Sequence, residues 1–253
     1  MTPDVLSPEN PPGQVDLNKI ENMFSEISPN YDLLNSVMSL GRHGFWRDCL
    51  SRRLLIKNPP GHFLDLATGT GDQLLSIKKF HPKSLLFGLD LAQSMLDLAK
   101  EKLQNAINNS AILEPMPTLI LGDAIKPKLP AQSFDSITVS FGLRNVKAKK
   151  ALYESVLNLL VPGARFLVLE VFFDPRSLLA PAHRWYLKKA IPFMAGQLFQ
   201  SSTEAYEYLA DSVLQFPHPE RVIDDLLEAG FVRCDYQTYT FGVAAVIWGH
   251  KPL

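Results

Sequence analysis

FLDLATGTGDQLLSI, residues 63–77, carries one apolar run into a glycine-threonine-glycine turn and out again into a second. An apolar stretch ahead of the glycines predicts a strand, and "GDQLLSIKKF" behind them predicts a helix opening on the turn. The pattern repeats downstream. "SLLFGLDL" predicts the second strand, "SMLDLAKEKLQNAI" the second helix, and "PTLILGDA" and "SFDSITVSF" strands three and four. The helix "AKKALYESVLNLL" follows, stopped by Pro162 and Gly163, and "RFLVLEVFF" is strand five. Near the end come the helix "ERVIDDLLEAG" and the runs "FVRCDYQTY" and "GVAAVIWGHK". A short turn at Phe241 and Gly242 joins those two runs, which predicts an antiparallel hairpin at the sheet edge. Strands alternating with helices imply βαβ units. The expected fold is therefore α/β, a doubly wound, mostly parallel, seven-stranded sheet covered on both faces.

Two segments break the rhythm. From 16 to 57 the pattern is helical, in "KIENMFSEI" and "FWRDCLSRRLLI", and reads as an N-terminal helical cap. Residues 172–216 are aromatic-rich and helical in pattern, an insertion after strand five. The proline-rich opening, 1–15, reads as a disordered leader, so that 16–253 forms one domain. It lacks the basic start and apolar core of a secretion signal. No apolar run approaches the ~20 residues that span a bilayer. The formal net charge of −1 argues against a nucleic-acid partner. Two cysteines, Cys49 and Cys234, sit far apart with no metal-ligand spacing, which suits a reducing cytoplasm.

In open parallel sheets ligands bind beyond the carboxyl ends of the strands. Gly69 and Gly71 would let main chain approach such a ligand, and the helix start adds a partial positive charge. An acidic residue about 20 positions on, at the end of strand two, grips ribose hydroxyls. Here it is Asp90, nineteen after Gly71. The dinucleotide fingerprint wants a third glycine where this chain has Leu74, and the phosphate-binding Gly-Lys-Ser/Thr loop is absent. Asp65, Asp72, Asp90 and Asp123 with Gly69, Thr70 and Gly71 make an acidic set that repels a pyrophosphate and suits a cation. The sulfonium and ammonium of S-adenosylmethionine fit that description. A plain tight turn is the alternative for the glycine pair taken alone.

"DLATGTGD", "GLDLAQSML", "LGDA" and "ITVSFGLRNV" together resemble the signature blocks of the menaquinone/ubiquinone biosynthesis C-methyltransferases, class I methyltransferases with a Rossmann-like sheet. "MFSEISPNYDLLNSVMSLGRHGFWR" is similar to that family's N-terminal block, and "YEYLADSVLQFPHPERVIDDLLEAGF" and "YTFGVAAVIWGHK" to its C-terminal blocks. The likeness runs from about Lys19 to Lys251, with "FGLRNV" its most specific part. It implies donor contacts at Thr70, Asp90, Asp123, Ala124 and Ser140. It also implies methylation of a ring carbon of a prenylated hydroquinone, demethylmenaquinol foremost, with a ubiquinone-pathway benzoquinol or another phenol as alternatives. Three positions depart from the family pattern: Ala164 after Gly163, the strand end "LEVFFDP", and Thr68. They touch the sheet edge and substrate side more than the donor pocket.

Carbon methylation needs no metal, but it needs an electron-rich ring. Ionising a phenol with pKa ~10 at pH 7 costs roughly 4 kcal/mol. Arg144 and Asn145 follow strand four beside Ser140, where a guanidinium would stabilise the developing phenolate. A surface arginine paired to a carboxylate is the structural alternative. Tyr31, Asp32 and His43 of the N-terminal block could fold over the pocket as a lid, with His43 the candidate proton acceptor. The insertion mixes Trp185, Tyr186, Phe193 and Phe199 with Arg176, Arg184, Lys188 and Lys189, a composition that suits either a membrane surface or packing on the core. The expected location is cytoplasmic, with peripheral contact at the inner face of the cytoplasmic membrane and a homodimer both left open.

Overall fold

The computed structural model describes residues 31–191 and 210–253. The leader, the stretch "KIENMFSEI", and Phe193 and Phe199 of the insertion lie outside these residues. The chain enters through two helices, α1 (Tyr31–Met38) and α2 (His43–Ser51). Then come β1 (His62–Leu66), α3 (Asp72–Phe80), β2 (Leu85–Asp90), α4 (Gln93–Asn108), β3 (Thr118–Leu121) and β4 (Phe134–Ser140). A 3-10 turn at Leu143–Asn145 leads to α5 (Lys149–Leu159) and β5 (Leu160–Val171). After α6 (Ala180–Trp185) and a π turn (Tyr186–Ala190), the chain ends with α7 (Pro219–Glu228), β6 (Val232–Tyr239) and β7 (Ala244–His250).

The strands form one seven-stranded sheet in the order β3-β2-β1-β4-β5-β7-β6. The first five run parallel, and β7 pairs antiparallel with both β5 and β6. That is the doubly wound sheet and edge hairpin expected from the alternating pattern. Side chains alternate between the faces. Leu64, Leu66, Phe166, Val168 and Ile247 pack on one side with Tyr153 and Val156 of α5 and Leu226 of α7. Phe63, Leu167, Leu169 and Val246 pack on the other with Trp46 and Leu50 of α2, Ile77 of α3 and Leu103 of α4. Each fully buried side chain of this kind contributes about 1.5–3 kcal/mol.

Two boundaries differ from the sequence pattern. The run "FWRDCLSRRLLI" predicts helix to Ile56, yet α2 stops at Ser51. Tertiary hydrogen bonds win there: Leu55 exchanges bonds with the Ser136 hydroxyl, and the Asp135 carboxylate accepts from the Lys57, Asn58 and His62 amides. Pro162 and Gly163 do not separate helix from strand, because β5 has already begun at Leu160. They form an irregularity in the β4–β5 ladder between the Phe134–Leu160 and Ser136–Arg165 pairs. Gly163, at φ +73°, supplies the left-handed residue the irregularity needs.

The 3.6-residue rhythm of the insertion holds at α6 and again at 210–215. Among the described residues no helix is long and apolar enough to cross a membrane.

Candidate functional site

The carboxyl ends of β1, β2, β4 and β5 meet beneath the glycine turn. The turn's backbone is left-handed at Ala67 (φ +51°), Gly69 (φ +54°) and Gly71 (φ +82°). Gly71 is the N-cap of α3, and a Cβ there would lie 3.2 Å from Ala99 Cβ on α4. The bare position at Gly71 therefore serves helix packing, a role that the sequence pattern assigned to a ligand. Gly142, in "FGLRNV", has a similar reason: its Cβ would stand 2.9 Å from Ala67 Cβ.

Asp90, the last residue of β2, ties the turn to the sheet. One carboxylate oxygen accepts from the Gly69 amide at 2.8 Å and the other from the Ala92 amide at 3.0 Å. Burial pushes its pKa up, against the pull of those amides. An ionised carboxylate has about four lone-pair sites, so after the Gly69, Ala92 and Leu91 amides it retains capacity for a ribose hydroxyl. Asp123 and Ala124 follow β3, and the Asp123 carboxylate accepts from the Ile125 amide at 2.8 Å. Ser140, closing β4, donates to Gln73 of α3 at 2.9 Å.

Asp65 stands elsewhere. It is 1% exposed, with its oxygens taken by the Thr68 and Thr138 hydroxyls at 2.7 and 2.6 Å. Thus it lies under the turn, bracing it, and turns no oxygen to the open side. Asp72 is also engaged: Lys102 sits 2.6 Å and Arg47 3.6 Å from it. Burial raises the Asp72 pKa, but these two cations outweigh it and hold the carboxyl below its usual range. Lys102 reaches Asp32 of α1 as well, and Thr70 donates to Asp32 at 2.6 Å. The N-terminal helices thus close over the glycine turn through an ion cluster. Its cations, Arg47 and Lys102, give no local sequence signal, because they come from separate helices.

A small cleft, open to solvent, lies between the N-terminal helices, the end of β4 and the insertion. Met38, Trp46, Phe141, Val171, Leu187 and Val213 give it apolar walls, and Asn35, His43 and Arg144 are its larger polar residues. The Arg144 side chain is 4% exposed and pairs at 2.8 Å with Glu170, itself wholly buried at the end of β5. The other Glu170 oxygen accepts from the Arg144 amide at 3.1 Å, so one carboxylate clamps both ends of the arginine. Arg144 is therefore no surface arginine. Its Nε is buried without a partner. Asn145 shares the same 3-10 turn. Burial, and secondarily Arg47, lowers the His43 pKa.

Glu170 is the residue that sequence reading missed, since a lone acid inside "RFLVLEVFF" looks like any strand polar residue. Arg47 is the other. It is 6% exposed, stacks at 4.8 Å over the Phe141 ring, and leaves a buried Nε without a partner beside the turn.

The profile of the ubiE/COQ5 methyltransferase family matches residues 13–251. The chain is 38% identical over 234 residues to a demethylmenaquinone methyltransferase of Thermus thermophilus, covering 91% of this chain and all of that one. It is 35% identical to a ubiquinone/menaquinone biosynthesis C-methyltransferase of Geotalea daltonii, over 92% of this chain and 96% of the other. In fold it is similar to a crystal structure from Thermotoga maritima described as a SAM-dependent methyltransferase, possibly acting on histamine. The TM-score is 0.63 at 17% identity, over 92% of this chain and 99% of that one.

The Asp65 carboxyl generates a stability prediction. Burial, against two hydroxyl bonds, pushes its pKa up to about 6. The unfolded carboxyl ionises near ~3.9, so between these values the folded state binds more protons and stability falls as pH rises. Asp65→Asn removes that titration, an effect of up to about 3 kcal/mol. Urea midpoints of variant and parent should shift in the variant's favour between about pH 4 and pH 7. A difference that does not change with pH would contradict the assignment.

Proposed function

This chain belongs to the ubiE/COQ5 methyltransferase family, and from that premise we propose that it methylates a ring carbon of a prenylated hydroquinone, demethylmenaquinol before others. The enzyme is an S-adenosylmethionine-dependent methyltransferase of menaquinone/ubiquinone biosynthesis. Relatives whose names join the two pathways keep a ubiquinone-pathway benzoquinol as the second candidate acceptor. The observation that carries the reading is the largely apolar cleft between the N-terminal helices and the insertion, with a clamped arginine in its wall.

The residues present fit the methyl donor. Asp90 has spare acceptor capacity for a ribose hydroxyl, and Thr70, Gly69 and Gly71 form the turn beside it. Asp123, Ala124 and Ser140 stand at the neighbouring strand ends. The unpartnered Nε of Arg47 suits the donor's carboxylate. When bound, the donor supplies an electrophilic methyl group. The chain's own part is to hold the ring against it, an effect that reaches ~7–11 kcal/mol in well-oriented reactions.

Arg144 addresses the phenol's ionisation. Its guanidinium cannot give up a proton and so acts by donation to the developing phenolate. Glu170 keeps it extended toward the cleft wall, Asn145 completes the polar end, and His43 is the candidate for the proton. The insertion exposes Leu178 (99%) and Trp185 (63%) on the same segment as Arg176, Arg184 and Lys188, of which Arg176 and Lys188 are paired to Asp174 and Asp211. This composition supports peripheral contact with an anionic bilayer, where a prenylated substrate resides.

Incubation with labelled S-adenosylmethionine and demethylmenaquinol should give a lipid heavier by one methyl group, bonded to ring carbon. A product methylated on oxygen would overturn the reading. Arg144→Ala should cut kcat roughly 10²–10³-fold with donor binding intact. It should also cost about 3–5 kcal/mol of stability by stranding the Glu170 carboxylate. Adding Glu170→Gln should restore the stability and not the turnover, whereas unchanged turnover in either variant would remove Arg144 from the chemistry. In flotation, the parent should rise with anionic liposomes and a Leu178→Ser, Trp185→Ser variant should stay below. Equal behaviour of the two would assign this face to some other role.

A further inference from the structure

A short hydrogen-bond chain on α1 ends at His43. The Ser36 hydroxyl donates to the Asp32 carbonyl at 2.9 Å, the back-bond of a helical serine to the preceding turn. That uses its one proton, leaving lone pairs on the oxygen. His43 Nε2 lies 3.1 Å from the same oxygen. With the Ser36 proton on the Asp32 carbonyl, this contact is a hydrogen bond only in the tautomer that has its hydrogen on Nε2. A neutral imidazole has one N–H, and Nδ1 is therefore the bare nitrogen. It is buried, has no hydrogen-bond partner, and stands 4.0 Å from Asp72 Oδ2 at the start of α3. The same ring lines the cleft that Arg144 lines. His43 thus bridges the glycine turn and the acceptor cleft.

We propose that Ser36 is a positioning residue that locks His43 as the Nε2–H tautomer, so that Nδ1 takes the proton of the acceptor hydroxyl. The inference rests on the hydroquinone reading and supplies its proton acceptor. The O–H bond breaks, its electron pair stays on the oxygen, and the proton goes to Nδ1. The ring carbon takes the methyl group as the methyl–sulfur bond breaks with its electron pair on sulfur. The carbon's own hydrogen then leaves to water as a proton, and the imidazolium returns its proton to the oxygen. One proton is released in all.

The surroundings keep the ring unprotonated and so free to accept. Burial, Arg47 of α2 and Lys102 of α4 keep the resting ring neutral, while Asp72 of α3 and Asp32 of α1 favour the charged form once a proton arrives. A base that rests neutral and is flanked by carboxylates can both take the proton and hold it briefly.

Long-range proton–nitrogen NMR of the full chain, labelled at histidine, tests the assignment, with His43→Gln identifying the resonances. The parent should show a pyrrole-type Nε2 and a pyridine-type Nδ1. Ser36→Ala should mix the tautomers and lower kcat for demethylmenaquinol about tenfold or more, with KM, donor affinity and melting temperature near the parent's. Ser36→Thr, which keeps the hydroxyl, should restore both tautomer and turnover, and His43→Gln should lower kcat by roughly 10²-fold. A pyrrole-type Nδ1 in a parent that methylates the quinol overturns the inference and leaves the functional reading standing. Full turnover in Ser36→Ala with the tautomers mixed does the same. A parent that methylates no hydroquinone overturns the functional reading, and the proton role with it.

Discussion

One carboxylate organises the donor side of this molecule. Asp90 ends β2, yet its oxygens accept the Gly69 and Ala92 amides, so a single side chain fixes the turn after β1 and the start of α4. Without an anion there, two amides would face each other across the strand ends with nothing to accept them, at a cost of about 1–3 kcal/mol each if buried. The left-handed backbone at Ala67, Gly69 and Gly71 is held by this anchor and by Asp65 underneath, which occupies the Thr68 and Thr138 hydroxyls. In the proposed reading structure and recognition share the same atoms, because the lone pairs left on Asp90 are the ones a ribose would use.

The acceptor side has a corresponding organiser. Glu170 clamps the amide and the guanidinium of Arg144 and is itself fully buried. A buried ion pair of this kind adds little net stability compared with an apolar pair, and its removal one partner at a time is costly. Its value is directional, since it holds a permanent cation at the wall of a largely apolar cleft. The N-terminal helices complete the enclosure. Lys102 joins Asp32 of α1 to Asp72 of α3, and the Tyr186 hydroxyl donates to the Val37 carbonyl, so α1 is fastened to both the donor turn and the insertion.

Much of this was legible in the sequence. The alternation of strand and helix patterns gave the sheet, and the antiparallel edge followed from the short turn at Phe241 and Gly242. Long-range partners were not legible. No local pattern shows that Ser136 and Asp135 would take over the backbone after Ser51, or that Ala99 would press on Gly71. The acidic set around the glycines read as a cation site by composition, yet Asp65 is sealed beneath the turn and Asp72 is matched by Lys102 and Arg47. Glu170 escaped notice for the same reason. Its meaning depends on Arg144, twenty-six residues away along the chain, and only the β4–β5 pairing brings them together.

Titration calorimetry with S-adenosylmethionine, comparing the parent with Asp90→Asn, examines the donor anchor most directly. The parent should bind the sulfonium nucleoside and ignore NAD. The amide variant, checked for folding by its melting curve, should bind roughly 10–100-fold more weakly, the loss of one charge-assisted hydroxyl contact. A folded parent that takes up NAD instead, or a variant with undiminished affinity, would contradict the account.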